Sequence, residues 1–257
     1  MSTVAAEIPR LDLSRTRPIP MVRLVRVELR KMADTRAGMW LLIGIATLSA
    51  VVGVIYMVTA DQPDRTFLKL IAAVAIPQMM LLPVLGILLV TSEWTQRTAL
   101  VSFTLEPVRM RVVYAKAIAA LVFGLGAVIV TLLIGAALTV IGGNEVAWNG
   151  VGAVAIGKLA LVQEEMVLRG LAFGLLILNS AGAIATYFIL PTAVGLVTTT
   201  WKAIQDVAPW INFDSGVLLQ GMALTNEQWA QFGATNVIWV AVPLAAGLFR
   251  VLRKEVK

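Results

Sequence analysis

The sequence predicts an all-α polytopic membrane protein with six transmembrane helices and an N-terminal amphipathic helix lying at the interface. Three observations predict it. Of 257 residues 59% are hydrophobic and 14% charged, against about 25% charged in an ordinary soluble domain. Long runs such as Leu70 to Ser92 and Ala117 to Asn144 carry no charge, and a helix rising about 1.5 Å per residue needs about 20 residues to cross the hydrocarbon. Most Lys and Arg residues cluster between those runs.

Composition also removes whole classes of chemistry. With no cysteine and no histidine there is no disulfide, thiol nucleophile, thiolate or imidazole metal ligand, or imidazole base. The net charge of +6 raises nucleic acid as a partner. The sorting of the basic residues by side of the membrane, described below, points to the lipid bilayer instead.

Residues 1–20 are polar and hold Pro9, Pro18 and Pro20, which describes a flexible cytoplasmic tail. No short apolar core with a cleavage site follows, so the tail is not read as a signal peptide. Residues 21–257 then form a single transmembrane domain. Over 21–36, Val22, Val25, Leu29 and Met32 recur at spacings of three and four opposite Arg23, Arg26, Arg30 and Lys31. That pattern is an amphipathic helix at the membrane surface, the plainer alternative being a basic flank that anchors the first span.

The first span is placed at 38–60 and ends in a short outer loop, Asp61 to Lys69. The second, at 70–91, contains Pro77 and Pro83, which bend a helix by removing backbone hydrogen bonds, with Gln78 between them as a buried polar group. A loop over 91–116 carries Glu93, Arg97, Glu106, Arg109, Arg111 and Lys116 and is expected to face the cytoplasm. The third span, 117–141, closes on Gly142-Gly143-Asn144, whose composition favours positive φ and reversal.

Between Arg169 and Lys202 lie 32 uncharged residues, too many for one helix and too few for two. Spans four and five therefore take 151–178 and 181–200, joined at Asn179-Ser180, with Pro191 kinking the fifth. The segment 201–230 is polar and aromatic, with Trp201, Trp210, Phe213 and Trp229, which suits an extracellular interfacial position. A sixth span is placed at 231–250.

Sidedness follows from the basic residues. Eight lie before the first span, four in the central loop and four from Arg250 onward, whereas Arg65, Lys69 and Lys202 are the three assigned outside. An excess of Lys and Arg in short loops marks the cytoplasmic side. Both termini are therefore expected inside, and the number of spans is even.

Two local patterns bear on catalysis. Gly152 to Leu159 reads GAVAIGKL and matches the first seven positions of the phosphate-binding pattern G-x-x-x-x-G-K-[ST]. Leu159 then offers no hydroxyl to magnesium, and the surroundings are apolar helix rather than strand-to-helix. Nucleotide hydrolysis must then come from another chain. The second pattern, Glu164-Glu165-Met166-Val167-Leu168-Arg169, resembles the first motif of the CAAX-protease and bacteriocin-processing family, whose paired glutamates activate water with later histidines. This chain has no histidine to complete it. Lys158, Glu164, Glu165 and Arg169 cannot all face lipid, where a charge costs about 2.5–3.5 kcal/mol. Glu165 and Arg169, four apart, can pair along one face. The cluster is either an internal ion-pair group that fixes packing or a lining of a translocation path.

Nearly the whole chain resembles a permease subunit of a type-2 ABC exporter. The resemblance lies in the order of its parts: Glu28-Leu29-Arg30-Lys31 on the amphipathic helix, six spans, and Glu93-Trp94-Thr95-Gln96-Arg97-Thr98 followed by Pro107-Val108-Arg109 and Lys116. At the end, Pro209-Trp210, Gln228-Trp229-Ala230-Gln231 and the closing Arg250 to Lys257 are similar again. The resemblance implies coupling to a separate ABC ATPase through Glu28, Arg30, Glu93, Arg97, Pro107, Arg109 and Lys116. It also implies a second permease chain, identical or not, and a substrate path near Gln78, Met79, Met80, Thr198, Thr199 and Thr200. No cofactor would be bound by this chain, ATP and Mg belonging to the partner, and no catalytic residue would be its own. The implied location is the bacterial plasma membrane. An arginine that family members often carry between spans four and five is replaced here by Leu178-Asn179-Ser180. An intramembrane glutamate hydrolase and a non-transporting assembly subunit are the alternatives.

Overall fold

The computed structural model describes residues 19–142, 146–212, 214–220 and 224–253. Most of the expected tail over 1–20, Gly143-Asn144 of the outer turn, Phe213 and the last four residues lie outside the described residues.

Helix α1, Met21–Asp34, stops at Thr35, whose extended backbone separates it from α2, Arg36–Thr59. The Thr35 hydroxyl accepts from the Gly38 N–H at 3.2 Å and caps α2. Helix α3, Phe67–Thr95, runs through Pro77 and Pro83 without interruption. A short helix α4, Ala99–Leu105, follows, then α5, Arg109–Gly142. Helix α6 spans Ala153–Ile177 and α7 Ser180–Thr200. The turn between them falls at Asn179, as expected, where the side chain accepts from the Gly182 N–H at 2.8 Å. Beyond it lie the 3₁₀ turn Lys202–Val207, α8 Ala208–Ile211, a 3₁₀ turn Ser215–Gln220 and α9 Asn226–Asn236. Helix α9 passes through a π-turn, Val237–Ala241, into α10, Val242–Arg253.

The described structure is helical, and five helices are long and apolar enough to cross a membrane: α2, α3, α5, α7 and the continuous Asn226–Arg253. The chain is accordingly membrane-embedded. Helix α6 has the length, 25 residues, but its charges set it apart in composition.

Several expected limits shift. Helix α5 begins eight residues before the expected 117, so the loop over 91–116 is largely helical. The last helix starts at Asn226 rather than 231, and its first turn has a capping box in which Thr225 and Gln228 exchange bonds. On α1 the buried residues are Glu28 and Met32, while Val22 is exposed. Of the expected apolar face, Met32 is buried and Val25 and Leu29 are half-buried, so only its Val22 end departs, and the face also takes in a carboxylate.

Helix α3 is the axis of the fold: 61% of its most apolar window is buried, against 17% for α2 and for α7. Helix α6 packs along it. Gln78 meets Gln163, Pro83 meets Gly170, and Ile87 meets Gly174, so paired positions climb together and the two helices run parallel. The main core joins Leu82, Leu85 and Leu89 of α3 with Val167, Leu171 and Leu175 of α6. Outward faces of α2, α5 and α7 present residues such as Ile55, Leu133 and Ile189, the apolar shell a bilayer solvates.

Candidate functional site

The charged loop becomes a built site at one end of the bundle. Helix α3 ends in a Schellman turn, with Thr98 N–H donating to the Glu93 carbonyl at 2.8 Å and Arg97 N–H to that of Trp94 at 3.3 Å. Arg97 takes the left-handed position, φ 58°, where glycine is the low-strain residue. The turn sends the chain into α4 and leaves Arg97 exposed.

Four charges from three helices close into a ring beside this turn. Lys116 Nζ of α5 lies 2.6 Å from Glu28 Oε2 of α1 and 3.1 Å from Glu93 Oε2 of α3. It also donates to the Leu89 carbonyl at 2.9 Å. Lys31 Nζ lies 2.8 Å from Glu28 Oε1 and 2.5 Å from Glu93 Oε1, and Ser102 Oγ of α4 donates to Glu93 at 2.9 Å. Two cations and two anions cancel. Glu28, Glu93 and Lys116 are buried, whereas the Lys31 side chain is 42% exposed. Burial alone would push the Lys31 ammonium down, but the Glu28 and Glu93 carboxylates outweigh it and hold it above the usual lysine range. The Lys31 ammonium therefore stays charged at neutral pH.

Further bonds fix the periphery. Arg111 lies 3.1 Å from Glu106 and also donates to the Ile19 carbonyl. Arg109 donates to the Val251 carbonyl of α10 at 2.7 Å and sits over the Phe103 ring. Arg30 pairs with Asp34 on the exposed side of α1 at 3.3 Å, and Pro107 is exposed between α4 and α5. Of the residues expected to couple, Arg30, Arg97 and Pro107 offer themselves at the surface. Glu28, Glu93 and Lys116 instead hold the elements together. Lys31 entered the sequence reading only as part of the basic α1 face and the Glu28–Lys31 run, and Ser102 not at all: Lys31 meets Glu93 from 62 positions away and Ser102 meets it from nine across a turn, spacings that carry no periodic signal. A cleft of about 850 Å³ opens between α1 and α4 against the ring.

The second polar group lies inside the bundle. Gln163 Nε2 donates to Gln78 Oε1 at 2.6 Å and to Thr131 Oγ1 at 2.9 Å, and Thr131 donates to Gln78 at 2.8 Å. All three are fully buried. They tie α3, α5 and α6 together, which gives Gln78 a packing role. Met79 is half-buried and Met80 exposed. On α7, Thr198 accepts from Asn212 Nδ2 at 2.8 Å, while Thr199 and Thr200 bond back to carbonyls of their own helix. Among the described residues no hydrogen bond joins the α3 trio to the α7 trio.

Glu165 pairs with Arg169, as their spacing predicted, and accepts from Ser215 Oγ at 2.5 Å. Glu164 turns elsewhere: both its oxygens are buried without a hydrogen-bond partner against Gly124, where a Cβ would stand 2.7 Å from the carboxyl. The two glutamates do not converge on one point. Lys158 lines a separate cavity of about 120 Å³. The GAVAIGKL stretch is the first two turns of α6 from Ala153 on, with Leu159 fully buried, so it forms no phosphate-cradling loop.

Ser215 anchors the segment between α7 and α9 to α6. Ser215→Ala leaves Glu165 with Arg169 alone and is expected to loosen that segment by about 1.5–3 kcal/mol, the range for a hydrogen bond to a charged group. Hydrogen exchange across 215–220 should accelerate while α3 amides stay protected; unchanged exchange would show that the bond does not hold the segment.

No family model matches the chain, and no curated protein matches it.

Proposed function

We propose that the chain is a transmembrane permease subunit of an ABC exporter, moving a hydrophobic or amphipathic compound with ATP hydrolysed, with Mg, on a separate subunit. The observation that carries this reading is the charge ring. It fastens the interfacial helix α1 to the ends of α3 and α5 and, through Ser102, to α4. Force applied to the exposed α4 surface would therefore move α1, α3 and α5 as one lever. A partner ATPase drives such a movement only by binding its two positions with different affinity, and inverting a 1:99 balance takes about 5.5 kcal/mol of that difference.

Six spans with both termini in the cytoplasm belong to the same proposal. Helix α6 lies parallel to α3 along its length, and α3 is itself apolar enough to cross; the charges of α6 point into protein rather than lipid. The Arg109 bond to Val251 brings the end of α10 beside the start of α5 and the α1 clasp, and a chain returns to its starting side only after an even number of crossings. That shared end carries most of the described basic residues, and an excess of Lys and Arg in short loops favours the cytoplasmic side, which supports a cytoplasmic position at a bacterial plasma membrane. The apolar flanks of α2 and α7 leave room for a second permease chain, identical or not.

The test is to isolate the full chain from its host in mild detergent and identify co-purifying soluble proteins by mass spectrometry, with and without replacement of residues 94–111. An ATPase with a complete phosphate-binding loop, lost on replacement, is expected. Well-folded chain that repeatedly comes down without an ATPase would remove the energy source the reading requires.

A further inference from the structure

We infer that the cleft between α1 and α4 is a binding site for an anionic phospholipid, its acyl chain inside the cleft and its phosphate at the α1 arginines. The inference rests on membrane embedding and on the geometry of this end of the bundle, and it stands or falls independently of the exporter reading.

The interior of the cleft suits a hydrocarbon chain. Leu24 and Val27 of α1 face Val101 and Leu105 of α4 across it, with Leu88 of α3 behind. Its volume of about 850 Å³ is within the ~300–1,000 Å³ of cavities that enclose small ligands. Val27, Val101 and Leu105 remain exposed at its edges, where water solvates them poorly and acyl chains solvate them well.

The charges at its walls decide the sign of the headgroup. Three carboxylates line the cleft, Glu28, Glu93 and Glu106, and each is already neutralised: the first two by Lys31 and Lys116, the third by Arg111. Arg23 also lines the cleft. It and Arg26, three residues on, have no carboxylate partner among the described residues. The acids are spent internally and the arginines are not, so the mouth presents net positive charge. An interfacial helix lies at the depth where headgroups meet acyl chains, which puts an apolar cleft and two uncompensated arginines on either side of that boundary. A lipid with a phosphate and no compensating cation satisfies both halves. Phosphatidylcholine satisfies only the apolar one.

Each arginine near a negatively charged lipid surface favours binding by roughly fivefold. The chain has no cysteine, so Val101→Cys supplies a unique site for a bimane fluorophore on the cleft wall. Full-length labelled chain is reconstituted into phosphatidylcholine vesicles containing equal mole fractions of dibrominated phosphatidylglycerol or dibrominated phosphatidylcholine, bromine being a contact quencher. The expected result is half-maximal quenching at a several-fold lower fraction of the brominated phosphatidylglycerol. Arg23→Gln with Arg26→Gln should remove that preference, and label at Val140→Cys, on the exposed far end of α5, should show none. Equal quenching by the two lipids would overturn the proposal, as would a preference that survives loss of both arginines. Absence of quenching by either lipid would overturn it too, since a protein segment or a second copy would then fill the cleft. Leu105→Cys, also on the cleft wall, gives the same readout if the label at 101 disturbs folding.

Discussion

Lys116→Met is expected to destabilise the protein by about 3–5 kcal/mol, the loss that follows when one partner of a buried ion pair is removed and the other charge stays behind. Lys116 is 4% exposed and touches Glu28, Glu93 and the Leu89 carbonyl. Without it two buried carboxylates share Lys31, and the ring carries a net negative charge in a poorly hydrated place. Methionine is close to lysine in volume, so a packing defect is a minor part of the change. Lys31→Met removes the same formal charge from a side chain that is 42% exposed, where water can enter to solvate the glutamates, and it should cost clearly less. Combining Lys116→Met with Glu28→Gln restores neutrality and should recover part of the loss, so the two changes are non-additive. The measurement is the thermal unfolding midpoint of these three variants, of Glu28→Gln alone and of the unaltered protein in one mild detergent. Equal midpoints for Lys116→Met and Lys31→Met would show that the ring is solvated and does not fasten α1.

The consequence for function runs through α1. With Lys116 replaced, α1 keeps one polar link to the bundle, Lys31 to Glu93, beside its apolar contacts, and the α4 surface can shift with less of the movement carried to α1. On the exporter reading a milder breach, Lys31→Met, then separates folding from coupling: the chain assembles and the lever is loose.

The charge-free runs made α2, α5 and α7 readable before any coordinates, because lipid demands an apolar exterior and tolerates little else. Helix limits were less readable, for a definite reason. Charge marks where the hydrocarbon ends, whereas hydrogen bonding marks where the helix ends, and at Arg109 the two differ by two turns. Helix α6 is the sharper case. Its Gln163 and Glu165 bond to residues of other elements, so its polarity reports the interior of the protein rather than its surroundings. On α1 the periodic pattern of Val22, Val25, Leu29 and Met32 found the half of the face that packs, Leu29 and Met32, but it could not show Glu28, whose partner Lys116 lies 88 positions on. The spacing of Glu165 and Arg169 did reveal their pairing, since both ends of that bond lie on one helix turn. The Gly170-x-x-x-Gly174 spacing was an available signal of a close helix crossing that sequence reasoning passed over.

Gly170→Ala is expected to remove most correctly folded protein. At this position α6 meets α3 backbone to backbone: a Cβ on Gly170 would overlap the Pro83 carbonyl, and one on Gly86 would overlap the Val167 carbonyl. Ordinary overpacking costs about 1–3 kcal/mol because neighbouring side chains can rotate away. A carbonyl in mid-helix cannot rotate, so the helices themselves must part and the penalty should exceed that range. Parting them also opens the contacts between Leu82, Leu85 and Leu89 and their α6 partners, and it strains the 2.6 Å bond between Gln163 and Gln78 one to two turns away. Gly44→Ala supplies the comparison, since a Cβ there meets nothing within 4 Å and relieving a helical glycine gains about 0.5–1 kcal/mol. The two substitutions add the same methyl group to glycines in long helices and should act in opposite directions. Size-exclusion yield and thermal midpoint read the contrast. If Gly170→Ala behaves like Gly44→Ala, α3 and α6 are not in backbone contact, and the parallel pairing that places α6 beside a membrane-crossing helix loses its anchor.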